Sequence, residues 1–162
     1  MMSLVPQPAN YEILPATWRD LAALRYLERV CFPVDAWTIL DLIGVLSFPN
    51  VVRLKALVEG EFVGFVAGDR RPSKDLAWIA TIAVLPEYRR QGIATALMQA
   101  CEDRLNVSCI RLSVRRGNSK ARNLYERLGY HQIGLWPAYY QDGTDAIVME
   151  KRAPVRVFVN GA

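Results

Sequence analysis

The segment Leu85-Pro86-Glu87-Tyr88-Arg89-Arg90-Gln91-Gly92-Ile93-Ala94-Thr95 sets two arginines and a glycine between an apolar strand-forming run and a helical pattern. The first turn of a helix leaves main-chain N–H groups unpaired and carries the positive end of the helix dipole. A junction where a strand stops and a helix starts is therefore a ready anion site. Gly92 has no Cβ to hold a bulky diphosphate away from the backbone, and Ala94 is small enough to continue that access. Arg89 and Arg90 add charge that would strengthen a phosphate contact. The same residue types would also serve an ordinary basic, solvated turn. A dinucleotide fold fits less well, because G-x-G-x-x-G is missing and the junction lies mid-chain.

A second group of residues runs from Val114 to Tyr130. Asn118 is a good N-cap, and Tyr125 lies seven residues further on, close to two helical turns, so both project from nearly one face. Tyr125 also falls on the apolar stripe Ala121, Leu124, Tyr125, Leu128, where a core tyrosine would sit. His131, the single histidine, has nothing nearby to pair with and receives no catalytic role.

The elements that must position these groups can be read from periodicity and punctuation. Tyr11–Leu14 reads as a strand, and Thr17 caps a helix with apolar positions Leu21, Leu24, Leu27 and Cys31 that Pro33 stops. Residues 37–46 form a second short helix. Strands at Val51–Val58 and Phe62–Ala67 flank Glu59-Gly60-Glu61 as a hairpin. Residues 78–85 form a strand ended by Pro86. Ile93, Leu97, Cys101 and Leu105, with Ala94 and Met98, make the inner stripe of an amphipathic helix. A strand at Ile110–Val114, a helix from Asn118 to Leu128 closed by Gly129, and strands at 130–135 and 145–151 complete the order β-α-α-β-β-β-α-β-α-β-β. Val155–Val159 alternates like one more strand or is a loose tail. The expected fold is mixed α/β, one twisted, mostly antiparallel sheet flanked by helices.

Bulk properties bound the function. A chain of 162 residues fits one domain, 1–162, with a core over about 11–152 and a tail at 153–162. With 52% hydrophobic and 22% charged residues a packed core is expected rather than disorder. No apolar run reaches the roughly 18–20 residues that span a bilayer, and no secretory signal opens the sequence, so a cytoplasmic protein without membrane contact is expected. Three cysteines without a C-x-x-C or a histidine cluster imply no metal, and Cys31, Cys101 and Cys109 read as small buried hydrophobes. The net charge of +4 suits a polyphosphate cofactor as well as nucleic acid, but no aromatic-basic strand motif or recognition helix supports a nucleic-acid partner.

The run I-A-V-x-P-x-x-R-x-x-G-x-A from Ile82 to Ala94 resembles the acyl-CoA motif of the GNAT superfamily of N-acetyltransferases. Arg89, Gly92 and Ala94 occupy its Arg-x-x-Gly-x-Ala positions. The Asn118, Leu124-Tyr125 and Leu128-Gly129-Tyr130 pattern resembles a second signature of the RimI-like branch, which acetylates protein N-termini. The resemblance covers roughly Tyr11 to Lys151 with the same element order. It implies acetyl-CoA as cofactor, with the diphosphate held by main-chain amides of Arg90, Gln91, Gly92, Ile93, Ala94 and Thr95. It implies that Ile82, Ala83 and Val84 bond the pantetheine arm, with Asn118 steadying the cofactor. It also implies that Tyr125 is the general acid for the departing thiolate, and reference pKa values of about 8.5 for a thiol and 10 for a phenol permit that transfer.

One position departs from the branch. Twelve residues before Tyr125, where RimI-like enzymes carry a glutamate base, stands Ser113. Deprotonating an α-amine of pKa about 7.8 at pH 7 costs roughly 1 kcal/mol, against roughly 4.6 for a lysine of pKa about 10.4. The missing base therefore favours low-pKa amines. Asp35, in the loop after Phe32, is a candidate substitute base, or a solvated acid or helix cap. The stretch from Trp136 to Ala146 resembles the Tyr-Tyr-x-Asp-Gly-x-Asp-Ala hairpin with which N-terminal acetyltransferases grip substrate, placing Tyr139 and Tyr140 opposite Phe32 and Asp35. The expected function is acetyl transfer to an amine, foremost a protein or peptide N-terminus, by a monomer or homodimer. The alternatives are acetylation of a small amine such as a polyamine, an amino acid or an antibiotic-like compound, and a non-catalytic acyl-CoA-binding module.

Overall fold

The computed structural model describes residues 10–152 and Pro154; the Val155–Val159 strand expectation lies outside them. Seven strands form one sheet: β1 (Tyr11–Pro15), β2 (Val51–Val58), β3 (Glu61–Arg71), β4 (Leu76–Val84), β5 (Cys109–Arg115), β6 (His131–Trp136) and β7 (Ala146–Arg152). Their spatial order is β1-β2-β3-β4-β5-β7-β6. Every neighbouring pair is antiparallel except β4 with β5. The helices are α1 (Leu21–Cys31), α2 (Ile39–Ser47), α3 (Ile93–Leu105) and α4 (Ser119–Arg127). Short 3-10 turns precede α1, link β3 to β4 and follow β4.

Local chemistry sets the element ends. Thr17 and Asp20 make a capping box on the 3-10 turn that feeds α1, and Thr38 and Asp41 make another on α2. The β2–β3 turn passes through Glu59 and Gly60, both at positive φ, as a tight hairpin with the twist of its strands requires. β3 runs on to Arg71, four residues past the expected Ala67, because β2 and β4 pair with it on both sides. Main-chain pairing extends a strand through residues, such as Gly68 and Asp69, that lack strand propensity.

Each face of the sheet has its own core. α3 packs on β2, β3 and β4, with Leu97, Met98, Cys101 and Leu105 fully buried against Leu54, Val66, Ala77 and Ile110. On the opposite face α1 and α2 cover Phe65, Ala67 and Ala83 with Leu24, Leu27, Leu42 and Leu46. The α3 approach is close at Gly68, where a Cβ would stand 2.7 Å from a Leu105 methyl and 3.0 Å from the Cys101 sulfur.

The departure from regular pairing matters for function. Along β3, Ala67 pairs with Thr81 and Gly68 with Ile79, so Ala80 is an extra residue on β4. Such a bulge bends the strand that carries it. On its other side β4 pairs with β5 only at Leu76, Ala77 and Trp78. Beyond that the two parallel strands part, and Ile79–Val84 presents an edge to an open gap.

Candidate acetyl-transfer site

The gap between β4 and β5 opens into a cavity of about 570 Å³. β4 contributes Ile79, Ala80, Thr81 and Ile82 to its wall, and β5 contributes Leu112, Ser113, Val114 and Arg115. Asn118, Ala121 and Tyr125 of α4 close one side. Phe32, Asp35 and Trp37 from the loop after α1, with Tyr139, Tyr140 and Asp142 from the β6–β7 connection, form the mouth.

Tyr125 is 7% exposed and packs edge-on to Tyr130 with ring centroids 6.1 Å apart. Burial pushes its hydroxyl well above the ordinary phenol range, which keeps the proton on oxygen until a stronger acceptor arrives. Asn118 caps α4 as expected, its side-chain oxygen accepting from the Ala121 N–H at 3.2 Å. The helical spacing thus brings Asn118 and Tyr125 to the same cavity.

The β4–α3 junction has the backbone of an anion cradle. Gly92 is the N-cap of α3 at φ +80°, Arg90 also lies at positive φ, and no side chain caps the helix. A Cβ at residue 92 would meet nothing within 4 Å, so the space beside it is open. This geometry fits a diphosphate, because uncapped first-turn N–H groups face room enough for a bulky anion. Arg89 turns back, its Nε donating to the Val84 carbonyl at 3.0 Å and its guanidinium reaching the Cys31 sulfur at 3.7 Å. It therefore fixes the end of β4.

Arg115 organises the mouth. Its Nε donates to Asp35 Oδ2 at 2.7 Å and its Nη1 to Asp142 Oδ2 at 2.9 Å, while the guanidinium lies 4.2 Å from the centre of the Tyr140 ring. The loop after α1 and the β6–β7 connection are thereby tied to one strand. Asp142 is held low, at about 2, by its bonds to Thr144 and Arg115. Ser113 hydrogen-bonds Tyr140, whose own ionisation burial opposes. Tyr139 meets Tyr140 edge-on and lies tilted against Trp136, and Trp136 in turn stacks on Trp78.

Two residues differ from the sequence reading. Cys31 is half-buried rather than a core hydrophobe: it lines the cavity, its thiol bonds the Val84 carbonyl at 3.5 Å, and burial raises its pKa. It is the last residue of α1, where the helix meets the gap. Glu28, which the sequence reading passed over, lines the cavity floor at 1% exposure. The signal was a charged residue on the inward stripe between Leu24, Leu27 and Cys31. Among the described residues no cluster of His, Cys, Asp and Glu could hold a metal, and no helix is long and apolar enough to cross a membrane.

A sheet parted at its parallel strand pair, with an uncapped, glycine-started helix beside the parting, is the arrangement that the resemblance to acyl-CoA-using transferases implies. Residues 16–130 match the model of the acetyltransferase (GNAT) family, and the chain belongs to that family. It is 44% identical over 154 residues to an N-alpha-acetyltransferase of Sulfurisphaera tokodaii, covering 86% of this chain and 92% of that one. It is 33% identical over 143 residues to the catalytic subunit NAA10 of the N-terminal acetyltransferase A complex of Arabidopsis thaliana, covering 84% and 74%. The crystal structure of the ribosomal-protein-S18-alanine N-acetyltransferase of Escherichia coli superposes with a TM-score of 0.82 at 26% identity, over 94% of this chain and 99% of that one. The protein is an acetyl-CoA-dependent N-acetyltransferase acting on an amine-bearing substrate.

Proposed function

We propose that the acceptor is the α-amine at the N-terminus of a protein or peptide. The observation that carries this reading is the pairing of two loops across the cavity mouth. Phe32 and Asp35 stand on one side, Tyr139 and Tyr140 on the other, and Arg115 ties the two together. Aromatic rings with hydroxyl tips can embrace a peptide backbone while leaving side-chain choice loose. Similarity to an N-alpha-acetyltransferase and to the catalytic subunit of an N-terminal acetyltransferase complex supports the same acceptor.

Bound acetyl-CoA supplies an acetyl group activated as a thioester. The main-chain amides of Arg90–Thr95 would hold its diphosphate, and the edge of β4 at Ile82–Val84, whose Val84 carbonyl Arg89 and Cys31 already engage, would align its arm. Asn118 steadies it from α4. Placing amine and thioester in one slot contributes much of the acceleration. The hydroxyl of Tyr125 gives its proton to the departing sulfur.

A small cationic amine would want unpaired acids at the mouth. Asp35 and Asp142 are both bound to Arg115, which disfavours that acceptor. The test is thiol release from acetyl-CoA with N-terminal peptides, lysine peptides with blocked termini, and small amines in parallel. A kcat/KM at least about tenfold higher for free N-termini is expected. Preference for a polyamine or amino acid would overturn the reading.

A further inference from the structure

Glu28 projects from α1 toward β4. Its Oε1 accepts a hydrogen bond from the Thr81 hydroxyl at 3.0 Å, and the Trp37 main-chain N–H bonds the same carboxyl group. Both Glu28 and Thr81 line the cavity that Asn118 and Tyr125 line from α4. We propose that Glu28 is the base of the reaction and receives, through the Thr81 hydroxyl, the proton that the acceptor amine loses. This rests on acetyl transfer to an amine and not on which amine is used.

The ionisable groups around the cavity narrow the choice. Asp35 and Asp142 are paired with Arg115, so their charge is already engaged. Cys31, on the same helix as Glu28 and backed by Arg89, is held as the neutral thiol by burial. The hydroxyls of Tyr125 and Tyr140 are likewise held protonated by burial. Tyr139 stands outside at the mouth, 55% exposed. Glu28 is the cavity-lining carboxylate without a cationic partner among the described residues. Burial shifts it toward higher pKa, against the opposing bonds from Thr81 and Trp37, and so makes it a stronger base than an ordinary glutamate.

The proton balance is simple. As the amine nitrogen bonds to the acetyl carbon, its proton passes to Thr81 Oγ1, and the original Thr81 proton passes to Glu28 Oε1. At the other end the carbon–sulfur bond breaks, and the sulfur takes the Tyr125 proton. Glu28 then releases its proton to water and Tyr125 regains one, so the net products are amide and thiol. A glutamate on α1 thus does what Ser113 on β5 cannot.

The test compares Glu28→Gln, Glu28→Ala, Thr81→Val and Thr81→Ser with the parent, using whichever amine the parent acetylates best. Glutamine keeps an oxygen to accept from the Thr81 hydroxyl but takes up no proton. Expected is a fall in kcat of roughly a hundredfold for Glu28→Gln, with coenzyme A affinity by calorimetry within about twofold of the parent. Thr81→Val should fall similarly and Thr81→Ser should recover, while added formate should restore part of the Glu28→Ala rate. Independent of turnover, infrared difference spectra of the ligand-free protein should show one carboxyl titrating above the usual glutamate range, absent in Glu28→Gln. Parent-like kcat in Glu28→Gln would overturn the proposal and leave Glu28 as a strut, and so would the absence of that titration. If Glu28→Gln fails to fold, the Thr81→Val and Thr81→Ser pair decides by the same criterion.

Discussion

Arg115 on β5 and Asp35 in the loop after α1 meet at 2.6–2.7 Å, so a strand of the sheet and a loop 80 positions away share one edge of the cavity. Because Arg115 also holds Asp142, cutting this one residue should release both lips of the mouth. Arg115→Ala is expected to raise KM for a peptide acceptor about tenfold while leaving coenzyme A affinity unchanged. Steady-state kinetics with calorimetry beside it checks the split, and an unchanged KM would show that the clasp does not shape the acceptor site.

Tyr125→Phe removes one oxygen from a buried ring and keeps its packing on Tyr130. Loss of general-acid assistance is worth about 10²–10⁴ in rate. Turnover should therefore drop at least a hundredfold with coenzyme A binding nearly intact. A phenylalanine enzyme with parent-like turnover would end the assignment.

Gly92 sits at φ +80°, where an L-residue costs about 1–2 kcal/mol of strain. A Cβ there would meet no protein atom within 4 Å, so the branch point of a valine is not itself blocked. The valine would instead distort the first turn of α3 and occupy the cradle. Gly92→Val is expected to weaken coenzyme A at least about tenfold by calorimetry, with a smaller effect on thermal stability.

Gly68→Ala tests packing away from the chemistry. Its methyl would press on Leu105 and Cys101, both fully buried under α3. Overpacking of this kind costs roughly 1–3 kcal/mol, and a melting temperature lower by about 3–10 °C is expected by calorimetry. An unchanged melting temperature would show that α3 is less tightly seated than the distances indicate.

Glu150 gives a pH dependence with a defined sign. It is 6% exposed, and Arg111 holds its pKa low, against desolvation, with Arg152 assisting. A carboxylate depressed in the folded state contributes stability fully above its unfolded pKa of about 4.3 and loses it as pH falls through the folded value. The stability gap between the parent and Glu150→Gln should therefore be widest near neutral pH and close below about pH 4. Urea unfolding at pH 7 and pH 3.5 measures it.

Element types and order were legible because the signals were local. Four-residue spacing from Ile93 to Leu105, the break at Pro86 and the Asn118 cap each act within a few residues, and the structure keeps all three. The site residues placed together by two helical turns, Asn118 and Tyr125, also reached one cavity. What was not legible depends on distant partners. The full length of β3 comes from strands on both sides, the gap from a bulge at Ala80, and the engagement of Asp35 from an arginine 80 positions away. Glu28 was hidden for the same reason, since its meaning depends on Thr81, 53 positions further along the chain.

A single peptide bearing both a free N-terminal α-amine and an internal lysine puts the acceptor assignment to its most direct test. Incubated with the protein and acetyl-CoA and mapped by mass spectrometry, it should carry acetyl at the α-amine in large excess over the lysine. Acetyl found on the lysine side chain, or on neither amine while a small amine is consumed, would contradict an N-terminal acetyltransferase.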